Sequence, residues 1–369
     1  MKKSLEYFIR RCNSFILERF GFIPKETKLV IMPTPTGDRG CFIPSEMKAI
    51  VDYKGIHDLP VLIHEYFGHG LHCEFSYKGY ALRSDPKKVK NLDNILSESD
   101  AFAVWLEWLI LNNLNLSKLW KKREAALSEY EFDLLKQAKE FVDSFGELSF
   151  LYFLGFPVIK SRSNLTKMIA KYIKFNEIHF VITYGSRDLF SDADFLVCSE
   201  SVHQERIFTY GTDILFTTPK KLEEQIKLLD VEYIEPLLTG FFLLGDEKMY
   251  KRLRSMFRLA DFRKAQKHLY AKTISYLKTC KQFLDQFSLT GKSFFAYCFL
   301  TNLSFAVSSY FASQHYKKSN KIITFDELCE KVQLLKNIRN KIKCFKRRCE
   351  IDIDELKSLL VEFLNLIKK

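Results

Sequence analysis

The stretch His64-Glu65-Tyr66-Phe67-Gly68-His69 decides how the first third of this chain is interpreted. It lies in an apolar run, and the spacing of apolar residues predicts a helix from about residue 59 to 75. Two imidazoles that flank a carboxylate on one helix are the side chains that a catalytic zinc ion needs. The imidazoles supply neutral nitrogen ligands, and the carboxylate accepts a proton from water. The motif therefore predicts a zinc site.

The spacing of the two histidines is unusual for such a helix. His64 and His69 are five positions apart, which places them roughly 140° from each other around an ideal α-helix. One extra residue in the turn, a π-bulge, would return both rings to one face, and Gly68 lies where the backbone distorts most easily. Alternatively, Glu65 and His69 form the pair at the usual spacing of four, with His72 one turn further on.

The form H-E-x-x-G-H resembles the motif of the dipeptidyl peptidase III family of zinc metallopeptidases, which carries the same extra residue. The resemblance implies a zincin-like domain in which His64 and His69 bind Zn²⁺ and Glu65 is the catalytic base. In that family a later E-x-x-A motif supplies a glutamate as the third ligand. Glu98 matches it in Ser97-Glu98-Ser99-Asp100-Ala101, and Asp100 is the alternative third ligand.

The segment before the motif indicates how a substrate would bind. Residues 40–53 are expected to form short strands, similar to the edge strand on which zincins hold extended peptides. We therefore expect a peptide or protein substrate. The transition state also needs an oxyanion stabiliser, and the sequence does not choose among five candidates: Tyr53, His57, Tyr66, His72 and Tyr80.

A second group of acidic residues lies in the middle of the chain. Asp192 and Asp194 straddle the start of a predicted strand at 195–198, and Asp213 starts another at 213–216. Because side chains alternate along a strand, Asp192 and Asp194 point to the same side. Closely spaced carboxylates are what two divalent ions need to stand above a triphosphate.

This pattern, with Gly185-Ser186-Arg187 directly after a predicted buried strand, resembles the minimal nucleotidyltransferases of the polymerase-beta superfamily. Within that superfamily it resembles the members that are followed by a helical bundle, such as kanamycin nucleotidyltransferase. The resemblance implies that Asp192, Asp194 and Asp213 bind Mg²⁺ and that Asp213 activates the acceptor hydroxyl. Gly185, Ser186 and Arg187 would hold the phosphates of a nucleoside triphosphate (NTP). The loop between Ser186 and Asp192 is shorter than in many members.

The last hundred residues are predicted to be helical. Apolar residues recur at helical spacing in four segments with short polar breaks, which predicts an up-and-down four-helix bundle. It is similar to the bundle that follows the catalytic domain in kanamycin nucleotidyltransferase and to the HEPN family, whose R-x4-H motif cuts RNA. Arg339 could begin that motif, but Cys344 stands where the histidine would fall. Without that acid/base group we expect a non-catalytic bundle.

These patterns predict an α+β, multidomain protein. A zinc metallopeptidase-like domain is expected at 1–155, a nucleotidyltransferase domain with a mixed sheet at 156–260, and the helical bundle at 261–369. A single helix is predicted over 119–145 and another over 325–345. The length of 369 residues fits two or three domains.

Composition sets the expected partners and compartment. The net charge of +12 favours polyanions, so RNA or a protein acceptor could bind the basic bundle. Nine cysteines without a C-x-x-C pair indicate reduced thiols in the cytoplasm. The charged N-terminus does not fit a signal peptide, and no apolar stretch predicts a membrane span.

The leading hypothesis is a bifunctional enzyme that joins a zinc-dependent metallopeptidase-like hydrolase to a Mg²⁺-dependent nucleotidyltransferase acting on an unknown acceptor. One alternative keeps only the transferase active and makes zinc a structural ion. The other is a non-catalytic regulatory or antitoxin-like binding protein in which both sites are degenerate.

Overall fold

The structure of the protein is a computed structural model. It describes residues 2–84, 92–157, 159–186, 191–202, 204–291, 293–346 and 352–368. The chain forms two compact units, Met1–Asn164 and Leu165–Lys369, and passes from one to the other within a helix. The first unit ends nine residues after the predicted boundary at 155, and the central sheet and the helical bundle lie in one unit. The two units are described separately below.

The first unit contains a small mixed sheet of three strands. They are β1 (Lys28–Ile31), β2 (Gly40–Ile43) and β3 (Lys48–Val51). The order is β1-β3-β2, with β1 parallel and β2 antiparallel to β3. The short strands predicted within residues 40–53 are therefore present, and β2 lies at an edge of the sheet.

Helices make up most of the first unit. They are α1 (Lys2–Phe20), α2 (Leu59–Leu62), α3 (Gly70–Phe75), α4 (Tyr77–Ser84), α5 (Leu92–Asn113), α6 (Ser117–Glu124), α7 (Glu129–Phe145) and α8 (Glu147–Phe153). The motif helix is interrupted between α2 and α3 by a π-helix, Ile63–His69.

Helix α5 is the centre of the first unit. It is apolar on most of its circumference, as expected of a helix that is covered by other elements on nearly all sides. Phe102 and Trp105 are fully buried there and pack with Phe67 of the π-helix in one aromatic-rich core. The core therefore fixes α5 against the motif helix, and this determines which of its polar side chains face the histidines.

The single helix predicted over 119–145 is wrong. The chain leaves α6 at Glu124 and begins α7 at Glu129. Ser128 caps α7, since its hydroxyl accepts a hydrogen bond from the Glu131 amide while the Glu131 carboxylate accepts one from the Ser128 amide. The sequence S-x-x-E at 128–131 is the usual signal for such a capping box.

The second unit is built on a mixed five-stranded sheet. Its strands are β4 (Ile178–Tyr184), β5 (Ala193–Ser199), β6 (Arg206–Thr209), β7 (Thr212–Thr217) and β8 (Phe241–Gly245). The order is β6-β7-β5-β4-β8, in which only β5 and β7 run parallel. The three central strands were predicted. The two edge strands, β6 and β8, were not.

The remaining helices surround this sheet and form the bundle. They are α9 (Arg162–Ala170), α10 (Pro219–Lys227), α11 (Val231–Thr239), α12 (Glu247–Ser255), α13 (Phe262–Thr290), α14 (Ser293–Lys318), α15 (Phe325–Lys331), α16 (Gln333–Lys346) and α17 (Ile353–Lys368). The single helix predicted over 325–345 is wrong, because extended backbone at Val332 separates α15 from α16.

The chain is therefore an α+β protein, as predicted. Within α14, the segment Phe295–Lys318 is long and apolar enough to cross a membrane by length and composition, but more than half of its most apolar window is buried. Phe299, Leu303 and Val307 of this helix are fully buried in the bundle core. Packing against α13 and the other bundle helices explains the apolar composition without a membrane.

Candidate functional site

The π-helix brings the two motif histidines together. Hydrogen bonds between residues five positions apart, which define a π-helix, place such residues on one face. His64 and His69 accordingly lie side by side, with 4.9 Å between their ring centroids. The predicted bulge is confirmed. His72 is instead fully buried and packs against Phe102 and Phe156, with centroid distances of 6.4 and 5.9 Å.

Gly68 serves packing more than backbone freedom. A Cβ at this position would lie 2.5 Å from the Cβ of Ala103 and 2.6 Å from its Cα. The glycine therefore lets α5 approach the π-helix closely. This contact places the first turns of α5 beside the histidines, where a third ligand is needed.

Asp100 is the residue of α5 that joins the two histidines. One ligand atom each from His64, His69 and Asp100 lie within 4.8 Å of one another, and His69 Nε2 is 3.5 Å from Asp100 Oδ1. Glu98, the expected ligand, forms an ion pair of 2.6 Å with Lys78 instead. Residues two apart on a helix point about 200° from each other, so only one of the two acids can face the histidines.

Both histidines are held by a second layer of polar groups. His64 Nδ1 is 3.4 Å from Oε2 of Glu107, whose side chain is fully buried. His69 Nδ1 is 2.8 Å from the Ser99 hydroxyl. These contacts leave Nε2 of each ring for a metal ion. A carboxylate behind a ligating histidine fixes the ring orientation and raises its basicity.

The outer layer continues away from the site. Arg123 Nε donates to Glu107 Oε1 at 2.9 Å, and its Nη2 donates to Glu131 at 2.5 Å. The Tyr130 hydroxyl donates to Asp100 Oδ2 at 3.2 Å. Of these residues only Asp100 was predicted; Glu107, Arg123, Tyr130 and Glu131 were not. Three of them lie where the single helix predicted over 119–145 breaks, and the capping-box sequence would have revealed that break.

The ionisable groups of the site have shifted pKa values. Burial raises the pKa of Glu65 to about 7; the charge of His64 opposes this rise, while Asp100 and Glu107 add to it. Burial and the neighbouring His64 and His72 hold the pKa of His69 well below its usual value. Burial lowers the pKa of His64, but Glu107 outweighs burial and the pKa is raised. His69 is therefore a neutral nitrogen donor, which is the form that binds metals.

A cavity of about 630 Å³ opens onto His64 and Glu65. Its wall includes Arg39, His57 and Lys122, so His57 is the one of the five oxyanion candidates that lines it. Edge strand β2 lies next to the site. A Cβ at Gly40 would come within 2.8 Å of Glu65 Cγ, and the Phe42 ring stacks on His69 at 6.0 Å.

The second predicted site lies at the ends of β4, β5 and β7. Asp194 pairs with Asp213 in the register of the parallel strands. Gly185 has φ +85°, and any Cβ there would clash with the Asp194 carboxylate, so only glycine fits this turn. The Tyr297 hydroxyl donates to Asp192 at 3.2 Å.

The remaining predicted phosphate contacts lie in the loop that follows. The backbone oxygen of Ser186 accepts a hydrogen bond of 2.9 Å from Ser191. Arg187 lies outside the described residues.

Asp213 differs from the predicted magnesium ligand in its surroundings. Arg206 of β6 donates two parallel hydrogen bonds to it, Nε to Oδ1 at 2.8 Å and Nη2 to Oδ2 at 2.6 Å. Among the described residues, three ligand atoms within 4.8 Å of one another are found in the first unit and not at Asp192, Asp194 and Asp213. This arrangement does not fit a Mg²⁺ ion held by all three aspartates.

Comparison with known proteins adds little. No protein-family model matches the chain, and no curated protein matches it. Among solved structures, the crystal structure of a nucleotidyltransferase-like protein from Exiguobacterium sibiricum 255-15 is similar over 55% of this chain and 74% of that chain. The sequence identity is 13% and the TM-score 0.27. At these values the likeness supports no argument about this chain.

Proposed function

We propose that the first unit is a zinc-dependent hydrolase that cleaves peptide bonds. The observation that carries this proposal is the convergence of His64, His69 and Asp100, together with a cavity that opens onto His64 and Glu65. Two imidazole nitrogens and one carboxylate oxygen form a ligand set typical of catalytic zinc sites, which keep one further position for water or substrate. Asp100 replaces Glu98 as the third ligand in this proposal.

The roles of the residues follow from their places. His64, His69 and Asp100 would hold the ion, with Glu107 and Ser99 fixing the two rings. When bound, a zinc ion lowers the pKa of a coordinated water and polarises a carbonyl group. Glu65 lines the same cavity and is adjacent to His64, so it would accept the proton from the attacking water and pass it to the leaving amine.

A peptide is the substrate that best fits the surroundings. Strand β2 is at the edge of its sheet and pairs only with β3 among the described strands. Its Gly40 lies against Glu65, so an extended chain that added to the edge of β2 would pass close to the base. His57 and Arg39 of the cavity wall are the candidates for stabilising the developing oxyanion.

The experiment is digestion of a mixed peptide library by the zinc-loaded protein, read by mass spectrometry. Wild type should release new peptide termini, and Glu65→Gln should release none while it still binds zinc. A Glu65→Gln protein with unchanged activity would overturn the assignment of the base. A zinc-loaded wild type that cleaves nothing would favour the alternative in which zinc is a structural ion.

Nucleotidyl transfer by the second unit is the second candidate function. It is favoured by the position of Gly185 against Asp194 and by the register that sets Asp194 beside Asp213. Mg²⁺ and an NTP would be required, with RNA or a protein as the acceptor on the basic bundle. We rank it below hydrolysis because both oxygens of Asp213 are engaged by Arg206.

Transfer of label from α-labelled NTPs to cellular RNA or to protein would test the second function, with Asp192→Asn as the control. Label transfer that Asp192→Asn abolishes would establish the second function.

If neither unit shows activity, the non-catalytic regulatory protein remains. We propose a cytoplasmic location, in keeping with the seven cysteines whose side chains the structure describes, all of which are free thiols.

A further inference from the structure

Arg206 is fixed from three directions in the second unit. Besides its two hydrogen bonds to Asp213 on β7, it donates from Nη1 to Glu232 of α11 at 2.6 Å. Its guanidinium carbon lies 5.7 Å from the ring centroid of Phe305 on α14. All three nitrogens of the guanidinium are thus used, and a planar fork held on two carboxylates is among the strongest ion pairs in proteins.

The partners of Arg206 are themselves anchored. Glu232 also accepts from the Tyr276 hydroxyl at 3.0 Å and lies 3.6 Å from Lys272 Nζ. Lys272 in turn pairs with Asp230 at 2.9 Å, and so does His268. The network therefore ties β6 and β7 to α11 and α13.

The charges and the burial of Arg206, Asp213 and Glu232 indicate that this network is stable. Burial alone would lower the pKa of Arg206, but Asp213 and Glu232 outweigh burial and raise it. The side chain of Asp213 is only 9% exposed and that of Glu232 13%. Withdrawing Arg206 would leave the nearly buried carboxylate of Asp213 without its cation and Glu232 with Lys272 alone, which is costly.

We propose that the Arg206 guanidinium occupies the place of a divalent cation at Asp213, so that in this state the three aspartates do not bind Mg²⁺ together. The second unit then uses an internal cation where the predicted transferase would use a metal ion. This inference bears on the second candidate function and is independent of the zinc site. Transfer of a nucleotide would require Arg206 to leave Asp213.

Thermal unfolding without metal ions tests whether Asp213 is paired with Arg206 or belongs to a free cluster of carboxylates. The two cases predict opposite changes in the melting temperature when the charge of Asp213 is removed. A free cluster of carboxylates repels itself, so removing one charge stabilises the metal-free protein; removing the partner of a buried arginine destabilises it. Asp213→Asn in the full chain with EDTA should lower the melting temperature of the second unit by about 4 to 8 °C. The control is Asp326→Asn, which breaks an exposed pair with Arg339 and should change it by less than about 2 °C.

Binding of Mn²⁺ provides a second measurement that does not depend on activity. The electron paramagnetic resonance signal reports how much Mn²⁺ remains free. Wild type should bind no more Mn²⁺ than the Asp194→Asn variant binds. Arg206→Gln should gain a Mn²⁺ site, with affinity about tenfold or more above wild type, because a positive charge beside Asp213 is gone. If Arg206→Gln does not fold, wild type and Asp213→Asn still decide the matter. A raised melting temperature in Asp213→Asn, or Mn²⁺ on wild type that Asp194→Asn releases, would overturn the proposal.

Discussion

The two acidic sites of this chain contain similar residues and differ in what surrounds them. In the first unit, Nδ1 of His64 lies 3.4 Å from Glu107 and Nδ1 of His69 lies 2.8 Å from the Ser99 hydroxyl, and one ligand atom each of His64, His69 and Asp100 lie within 4.8 Å of one another. In the second unit, both oxygens of Asp213 accept hydrogen bonds from Arg206. The three ligand atoms of the first site are placed to share one ion, whereas the carboxylate of Asp213 pairs with a cation of the chain itself.

The difference shows what a metal site requires beyond the right residue types. Outer-layer groups orient ligands without using the atoms that bind metal, and this is the role proposed for Glu107 and Ser99. An internal arginine on the ligand carboxylate itself does the opposite, since it satisfies the charge that would attract the ion. Absence of zinc binding at the first site, or binding of Mg²⁺ at the second, would contradict this difference between the two sites.

The largest effect is expected from Glu65→Gln. Loss of the general base should lower peptide hydrolysis by about 10²- to 10⁴-fold, while the zinc content stays at the wild-type level because Glu65 is not a ligand in this account. Glu98→Gln is the matched control, since its side chain pairs with Lys78, and it should keep most of the activity. Equal losses in both variants would point to a general structural effect.

The third ligand can be assigned by comparing Asp100→Asn with Glu98→Gln. Removing a direct ligand should weaken zinc binding by more than about 100-fold, since outer-layer changes alone cost 10- to 100-fold. Competition with a chromogenic chelator measures both affinities. If Glu98→Gln loses zinc and Asp100→Asn keeps it, the assignment based on the family resemblance is right and the geometry described here is not the metal-bound one.

Glu107→Gln should have a smaller effect on the same measurement. Its amide would no longer fix the His64 ring as a carboxylate does, so zinc affinity should fall by about 10- to 100-fold. Glu131→Gln provides the control, because Glu131 contacts Arg123 and not the histidine. A zinc affinity in Glu107→Gln equal to that of wild type would show that Glu107 serves only to neutralise Arg123.

The smallest effect is expected from lowering the pH, which protonates Asp230 in the second unit. Burial raises the pKa of Asp230, but His268 and Lys272 outweigh burial, and the pKa is lowered from its ordinary value of 3.8. A carboxyl group with a lowered pKa contributes stability above its unfolded pKa, and this stability is lost as pH falls through the folded value. The melting temperature should therefore drop below about pH 4. Asp230→Asn should be less stable near neutral pH and show a weaker acid-dependent drop; an identical pH profile would contradict the pairing.

The sequence was sufficient for features that rest on local spacing. His64 and His69 are five positions apart, so they share one face only in a wider turn than an α-helix has, and the π-helix is that turn. The core strands of the second unit followed from their apolar runs. The break between α6 and α7 was also readable, because Ser128 and Glu131 form a capping box.

Other features depended on packing over long distances. The choice of Asp100 over Glu98 requires knowing which face of α5 meets the π-helix, and the close contact of Gly68 with Ala103 sets that face. Arg206 lies on a strand of four residues whose pairing with β7 places it opposite Leu215. No local pattern indicates that its side chain reaches Asp213, so the state of the second site could not be predicted.

Zinc content per chain, measured by elemental analysis, tests the central claim most directly. The protein should be purified without chelators, in wild type and in a variant with both His64→Ala and His69→Ala. The account predicts about one zinc ion per wild-type chain and none in the folded double variant. A folded wild type that holds no zinc, even after reconstitution with zinc, would contradict it.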